Sequence, residues 1–167
     1  MSEEFAGVSP GRTYLTRQTP DGLWIRDGDG RAVARLPVSP GGEVSSAAGS
    51  WQVAVERLSR GWAVVAREPV SEEPVGCGYP RGGLKRFDLW VAPEQEYQLR
   101  AKPFSGLRIL RGELGEIARF TPGLKRTIVV VESVTPDPRL TLVILLAYEA
   151  IRYDEQIPGG AGVGAGG

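Results

Sequence analysis

The chain has 167 residues, 41% of them hydrophobic and 24% charged, and its 20 basic and 20 acidic side chains leave a formal net charge of zero. That composition suits one soluble domain long enough to bury a core. A single cysteine, Cys77, excludes an internal disulfide, and the absence of histidine removes the commonest general base, the usual nucleophile partner and the usual nitrogen ligand for zinc or iron.

The opening MSEEFAGVSP is acidic and lacks the basic and apolar regions of a signal peptide, so a cytoplasmic location is expected. Residues 1–11 are expected to be disordered, and 12–156 to form the domain. From residue 13 to 131 the signals are those of strands and tight turns. LWIRDGDGRAVARLPV (23–38) reads as a hairpin turning at Asp27-Gly28-Asp29-Gly30, where glycine accepts positive φ. SPGGEVSSAAGS (39–50) reads as a small-residue loop.

WQVAVERLSRGWAVVARE (51–68) is a second hairpin, turning at Ser59-Arg60-Gly61. Its first arm alternates Trp51, Val53 and Val55 with Gln52, Ala54 and Glu56, the period of a strand with one apolar face. SEEPVGCGYPRGG (71–83), rich in Gly and Pro, reads as a crossover. RFDLWVA (86–92) and EYQLRAK (96–102) pair around Pro93, GLRILRGELGEIARF (106–120) is a fourth hairpin, and KRTIVVVES (125–133) a last, more thoroughly buried strand.

Residues 22–36 align without a gap on 106–120. Identical are Gly22/Gly106, Leu23/Leu107, Ile25/Ile109, Gly28/Gly112, Ala34/Ala118 and Arg35/Arg119. The match predicts a duplication, with two equivalent hairpins in two similar halves of one sheet.

The most apolar stretch is LTLVILLAYEAI (140–151), in which only Thr141 and Glu149 are not apolar or aromatic. Twelve helical residues at ~1.5 Å each reach ~18 Å, short of the ~30 Å bilayer core. Arg139 and Arg152 close both ends, so no membrane span is expected. Asp137 can cap the helix, with Pro138 at its first position. A helix apolar on every side is buried on every side, and a sheet wrapped around it provides that environment. The expected fold is therefore all-β with one helix: roughly ten antiparallel strands in a closed or nearly closed barrel, threaded by the C-terminal helix. The glycine-rich 157–167 is expected to be a disordered tail.

The repeated G…A-R hairpins and the terminal DPRLTLVILLAYEAIRYDE together resemble the tubby-like C-terminal superfamily, in particular its phospholipid-scramblase-like and LURP-one-related branch, over roughly residues 12–155. That resemblance implies about twelve antiparallel strands around a central hydrophobic helix, in two related halves. It also implies phosphoinositide binding through basic side chains on the barrel surface. The scramblases' acidic calcium segment has no counterpart here: VTPDPR (134–139) offers one carboxylate, Asp137, read as a cap.

Charge along the chain is uneven: residues 1–80 sum to −2, 81–126 to +5 and 127–167 to −3. Within the basic middle, GLKR occurs at 83–86 and again at 123–126. If the two segments adjoin, Lys85, Arg86, Lys125 and Arg126 form a ligand-binding patch that focuses field on phosphate. The expected function is a non-enzymatic binding or regulatory module for an anionic phospholipid surface or a phosphorylated ligand, peripheral to the membrane at most. The alternative is a protein–protein interaction module.

No catalytic residue, cofactor or metal ligand is assigned. Cys77 is read as a thiol without a role, and DGDG as a turn rather than a calcium loop, since no glutamate follows at the twelfth position. Trp24, Trp51, Trp62 and Trp90 are read as core packing, without a role in nucleic-acid stacking. Glu149, one turn from the helix end, is expected to reach solvent at the barrel mouth beside Arg152.

Overall fold

The computed structural model describes residues 4–39, 41–59, 61–81, 86–122, 126–134 and 139–156. Twelve strands run in chain order: β1 Thr13–Thr19, β2 Gly22–Arg26, β3 Ala32–Leu36, β4 Gly42–Ser46, β5 Gly49–Leu58, β6 Gly61–Arg67, β7 Pro74–Arg81, β8 Arg86–Val91, β9 Gln95–Ala101, β10 Arg108–Gly112, β11 Gly115–Phe120 and β12 Thr127–Val130. Each pairs antiparallel with its chain neighbour, and β1 closes the ring against β12. The helix α1, Arg139–Gln156, follows.

Period-2 alternation sets the inward face of each strand. Phe87, Leu89 and Val91 of β8 point in, as do Leu99 of β9, Leu110 of β10, Ala118 and Phe120 of β11, and Ile128 and Val130 of β12. Every residue from Leu140 to Ile151 is buried, which is what a helix without a polar face requires. Closure also removes the exposed sheet edges through which open sheets aggregate.

The helix lies nearest β6, β7 and β8. Small residues allow that approach: a Cβ on Gly76 would stand 3.1 Å from Leu146 Cδ2, and one on Gly78 would meet Leu89 Cδ2 at 2.3 Å. These glycines explain why 71–83 is not the crossover its composition suggests. Residues 74–81 of it form β7, and the absent side chains make room for Leu146 of the helix at Gly76 and for Leu89 at Gly78. The small-residue stretch 39–50 is likewise corrected, because β4 lies within it and pairs with β5 from Gly42↔Val53 to Ser46↔Gly49. Strand formation there follows from the partner rather than from local propensity.

Residues 4–11 also depart from expectation, being tied to the barrel although they form no regular element. Ala6 N–H donates to Ala32 C=O (2.8 Å), Gly11 N–H to Val130 C=O (3.0 Å), and Phe5 stacks on Trp24. Asp137, Pro138 and the tail 157–167 lie outside the described residues.

The aligned hairpins, β2–β3 and β10–β11, sit four positions apart round the ring. Their registers differ by one residue: Ile25 faces Ala34, whereas Ala118 faces Leu110 and Ile109 faces Arg119. A one-residue slip turns a side chain to the other face. Ile25 is accordingly buried and Ile109 half-buried on the outside, so their identity in sequence is not equivalence in structure.

Candidate functional site

The two ends of the barrel are distinguished by the helix. At its N-terminal end Arg139 hydrogen-bonds Gln95 at the start of β9. At its C-terminal end two ion pairs tie helix to wall, and a third lies within the helix. Arg108 Nη2 donates to Asp154 Oδ2 at 2.8 Å, with both side chains buried; Arg126 pairs with Glu155; and Arg152 pairs with Glu149 while also donating to Pro37 and Val38 carbonyls.

This placement decides the fate of the GLKR residues. Lys85 and Lys125 lie outside the described residues. Arg86 and Arg126 open β8 and precede β12, four strands apart on the same rim. Arg126 is turned inward: it is buried, pairs with Glu155, and lies 5.9 Å from the ring centre of Tyr148. It is a helix tether and not a surface cation. Arg86 faces out, so the two arginines do not share a patch.

Arg86 has other company. Register sets it directly opposite Arg81 on β7 and Arg100 on β9. Three arginines therefore stand in one row across three adjacent strands on the outer face. One rung along, Asp88 lies opposite Tyr79 and Gln98, and Gln98 opposite Arg111 of β10. Asp88 Oδ2 accepts from Arg81 Nε at 2.6 Å, while Oδ1 stands 3.5 Å from Arg86 Nε. The pair with Asp88 raises the Arg81 pKa further. Arg100 donates to Gln98 Oε1 at 3.1 Å, and Arg81 lies 5.5 Å from the Tyr79 ring centre.

Much of this face lines a groove of about 980 Å³ that runs along the wall to the N-terminal end of the helix. Arg81, Arg100 and Arg111 lie in it with Tyr79, Asp88 and Gln98; Leu140 and Val143 of α1 border it as well. Reading the sequence missed Arg81, Arg100 and Arg111. The signal existed, since Arg81 ends β7 and stands directly opposite Arg86 at the start of β8. It was hidden because the Gly/Pro-rich stretch did not read as a strand.

The remaining candidates resolve individually. Asp27 accepts from the backbone N–H groups of Arg31 (2.9 Å) and Asp29 (3.0 Å), which with the Arg31 charge hold its carboxyl below the ordinary value. It is a turn-forming side chain, and Gly30 alone of the two glycines in DGDG has positive φ. Cys77 faces out, half-buried, and burial followed by the charge of Glu56 pushes its thiol up, away from reactivity. Trp51 and Trp62 are in the core, but Trp24 and Trp90 are outward and half-buried. Trp24 is covered by Phe5 and by the guanidinium groups of Arg26 and Arg35, at 5.2 and 5.5 Å from its ring centre.

Glu149 is corrected as well. It does not reach solvent but is fully buried, between Arg152 and the backbone N–H of Gly41. Burial pushes its pKa above the ordinary glutamate value of 4.5, against the opposing pull of Arg152 and Gly41. A raised native pKa means that the native state holds the proton more tightly than the unfolded chain does. This contribution to stability is full below pH 4.5 and is lost as pH rises through the native value. Glu149→Gln, a permanently neutral mimic, is therefore expected to match or exceed the parent in urea at pH 7. The difference should close on acidification below pH 4.5; a Gln variant weaker than the parent at pH 7 would show that the Arg152 pair prevails.

The class that this fold defines is a closed antiparallel barrel of twelve strands filled by its own C-terminal helix. Compared with protein-family models, curated proteins and solved structures, the chain matches none. Among the described residues no helix is long and apolar enough to cross a membrane.

Proposed function

We propose that this protein is a non-enzymatic binding module that takes a phosphate group, carried by an anionic lipid headgroup or a soluble ligand, on the outer face of β7–β9. The observation that carries the reading is the row Arg81–Arg86–Arg100. Like charges directly opposite one another on neighbouring strands are destabilising. Three guanidinium groups in register thus hold a cost that an anion relieves, and their forked donors match phosphate oxygens two at a time. The concavity beside them supplies a seat, and the resemblance to tubby-like and scramblase-like barrels points to the same chemistry.

Flotation with vesicles containing anionic phospholipid at physiological salt, and titration with a soluble inositol phosphate, separate the two sources of phosphate. Arg81→Gln/Arg86→Gln/Arg100→Gln is expected to lose at least tenfold in whichever arm binds, since each charged contact is worth about 1 kcal/mol or more. Binding should also weaken steeply with salt. Unchanged binding by the triple variant, or no binding of either probe by the parent, would sink the reading. A stoichiometric protein partner recovered in its place would favour an interaction module.

A further inference from the structure

Resting on that reading, we infer that Asp88 is a built-in counter-ion which sets the charge class of the ligand. The site is tuned to a phosphate carrying two charges, a monoester, and disfavours singly charged phosphodiesters. Among the described residues, Asp88 is the one carboxylate paired with the row. It is divided between two arginines, close to Arg81 at 2.6 Å and loose on Arg86 at 3.5 Å. The looseness leaves two buried polar atoms, Asp88 Oδ1 and Arg86 Nε, without a hydrogen-bond partner. A buried donor and acceptor left half-satisfied are costly, and oxygens of an incoming ligand can complete the donor. Arg100 leans on a neutral partner, Gln98.

Within the row itself three cations against Asp88 leave two positive charges, which a phosphomonoester of charge about −2 matches. Arg111 and the carboxylates Glu94, Glu96, Glu113 and Glu116 also line the groove. A singly charged anion gains half as much from the same field while also facing Asp88. The carboxylate therefore lowers affinity for every anion but leaves a useful margin only for the doubly charged one.

Coulomb energy is proportional to ligand charge, so removing Asp88 has a specific signature. At a separation of roughly 6 Å in a water-like dielectric, Asp88→Asn should tighten a monoanion about threefold and a dianion about tenfold. Methyl phosphate and dimethyl phosphate, titrated calorimetrically at pH 8, supply the two charges. The expected result is that both bind more tightly to Asp88→Asn, with methyl phosphate gaining about twice as much in logarithmic terms.

If Asp88 instead serves only to hold the arginines in place, both ligands will weaken, and the inference is overturned while the phosphate reading stands. Gln98→Asp, which adds a second carboxylate beside Arg100, gives an independent arm in case Asp88→Asn misfolds. It is expected to weaken methyl phosphate about tenfold by the same arithmetic, and unchanged affinity overturns the inference. Absence of methyl phosphate binding by the parent and by Asp88→Asn alike removes the phosphate reading, and this inference with it.

Discussion

Leu145→Asp is expected to unfold the whole domain. Leu145 lies at the middle of α1 and is buried, with wall on every side because the sheet closes around the helix. Removing its side chain alone, as in Leu145→Ala, should cost roughly 2–5 kcal/mol from lost burial and the cavity left behind. An ionised carboxylate at that position must also leave water without a partner, at a cost several times larger. Total stability for a domain of this kind is about 5–15 kcal/mol, so the aspartate variant should not fold. Circular dichroism and a thermal melt check both substitutions. The alanine variant should remain folded with its Tm lowered by roughly 5–15 °C. A folded Leu145→Asp that merely lost membrane association would refute the placement of this helix as the barrel's core.

Asp154→Ala is expected to cost roughly 3–5 kcal/mol, because it strands the Arg108 charge inside the barrel. Both side chains of this pair are almost wholly buried; Arg108 makes a 2.8 Å bond to Asp154 and lies over the face of Phe87, 5.9 Å from its ring centre. Even in the pair, Arg108 Nη1 and Asp154 Oδ1 lack hydrogen-bond partners, as does the nearby Trp62 Nε1. The pair is therefore expected to be a small net stabiliser in itself, although breaking it is expensive. Arg108→Met/Asp154→Leu should recover most of what Asp154→Ala loses, since replacing both members removes the uncompensated charge. Urea midpoints of the three variants decide the matter: a loss under about 1 kcal/mol in Asp154→Ala would mean that water already screens Arg108.

How far the fold could be read follows from which signals are local. Trp51, Val53 and Val55 declare a strand by alternation, and Gly61, with φ of 103°, supports the turn that follows. Leu140 to Ile151 declare burial on all sides by the absence of a polar face. Closure of the barrel was an inference from the helix, because only an encircling sheet satisfies it, and the ring from β1 through β12 is what the chain builds.

Two of the strands that were not read, β4 and β7, borrow their stability. In β4 only Val44 is a large apolar residue, and β7 carries Gly76 and Gly78 where a typical strand carries branched side chains. β4 is held by ladder bonds to β3 and β5, and β7 by those to β6 and β8. Gly76 has its reason in the helix beyond, from Leu146 packing against the strand, and Gly78 in the side chain of Leu89 on β8.

The basic site shows the same division. The excess of positive charge over residues 81–126 was visible from composition alone, and so was Arg86 as a member of it. That Arg126 turns inward to Glu155, while Arg81 and Arg100 flank Arg86, depends on register and on where the helix ends. Glu149 was likewise visible as the odd residue of the helix, but not its depth, which depends on the segment around Pro37, Val38 and Gly41 covering the barrel end.

The period of the longer strands, the helix and its length, and hence a barrel built around its own C-terminus, are legible in the order of residues alone. These are properties of consecutive residues, written in spacing and hydrophobicity. The number of strands, which arginines share a face, and which charges are buried are settled by the folded arrangement. Those depend on cross-strand partners far apart in the chain, where a shift of one residue exchanges inside for outside.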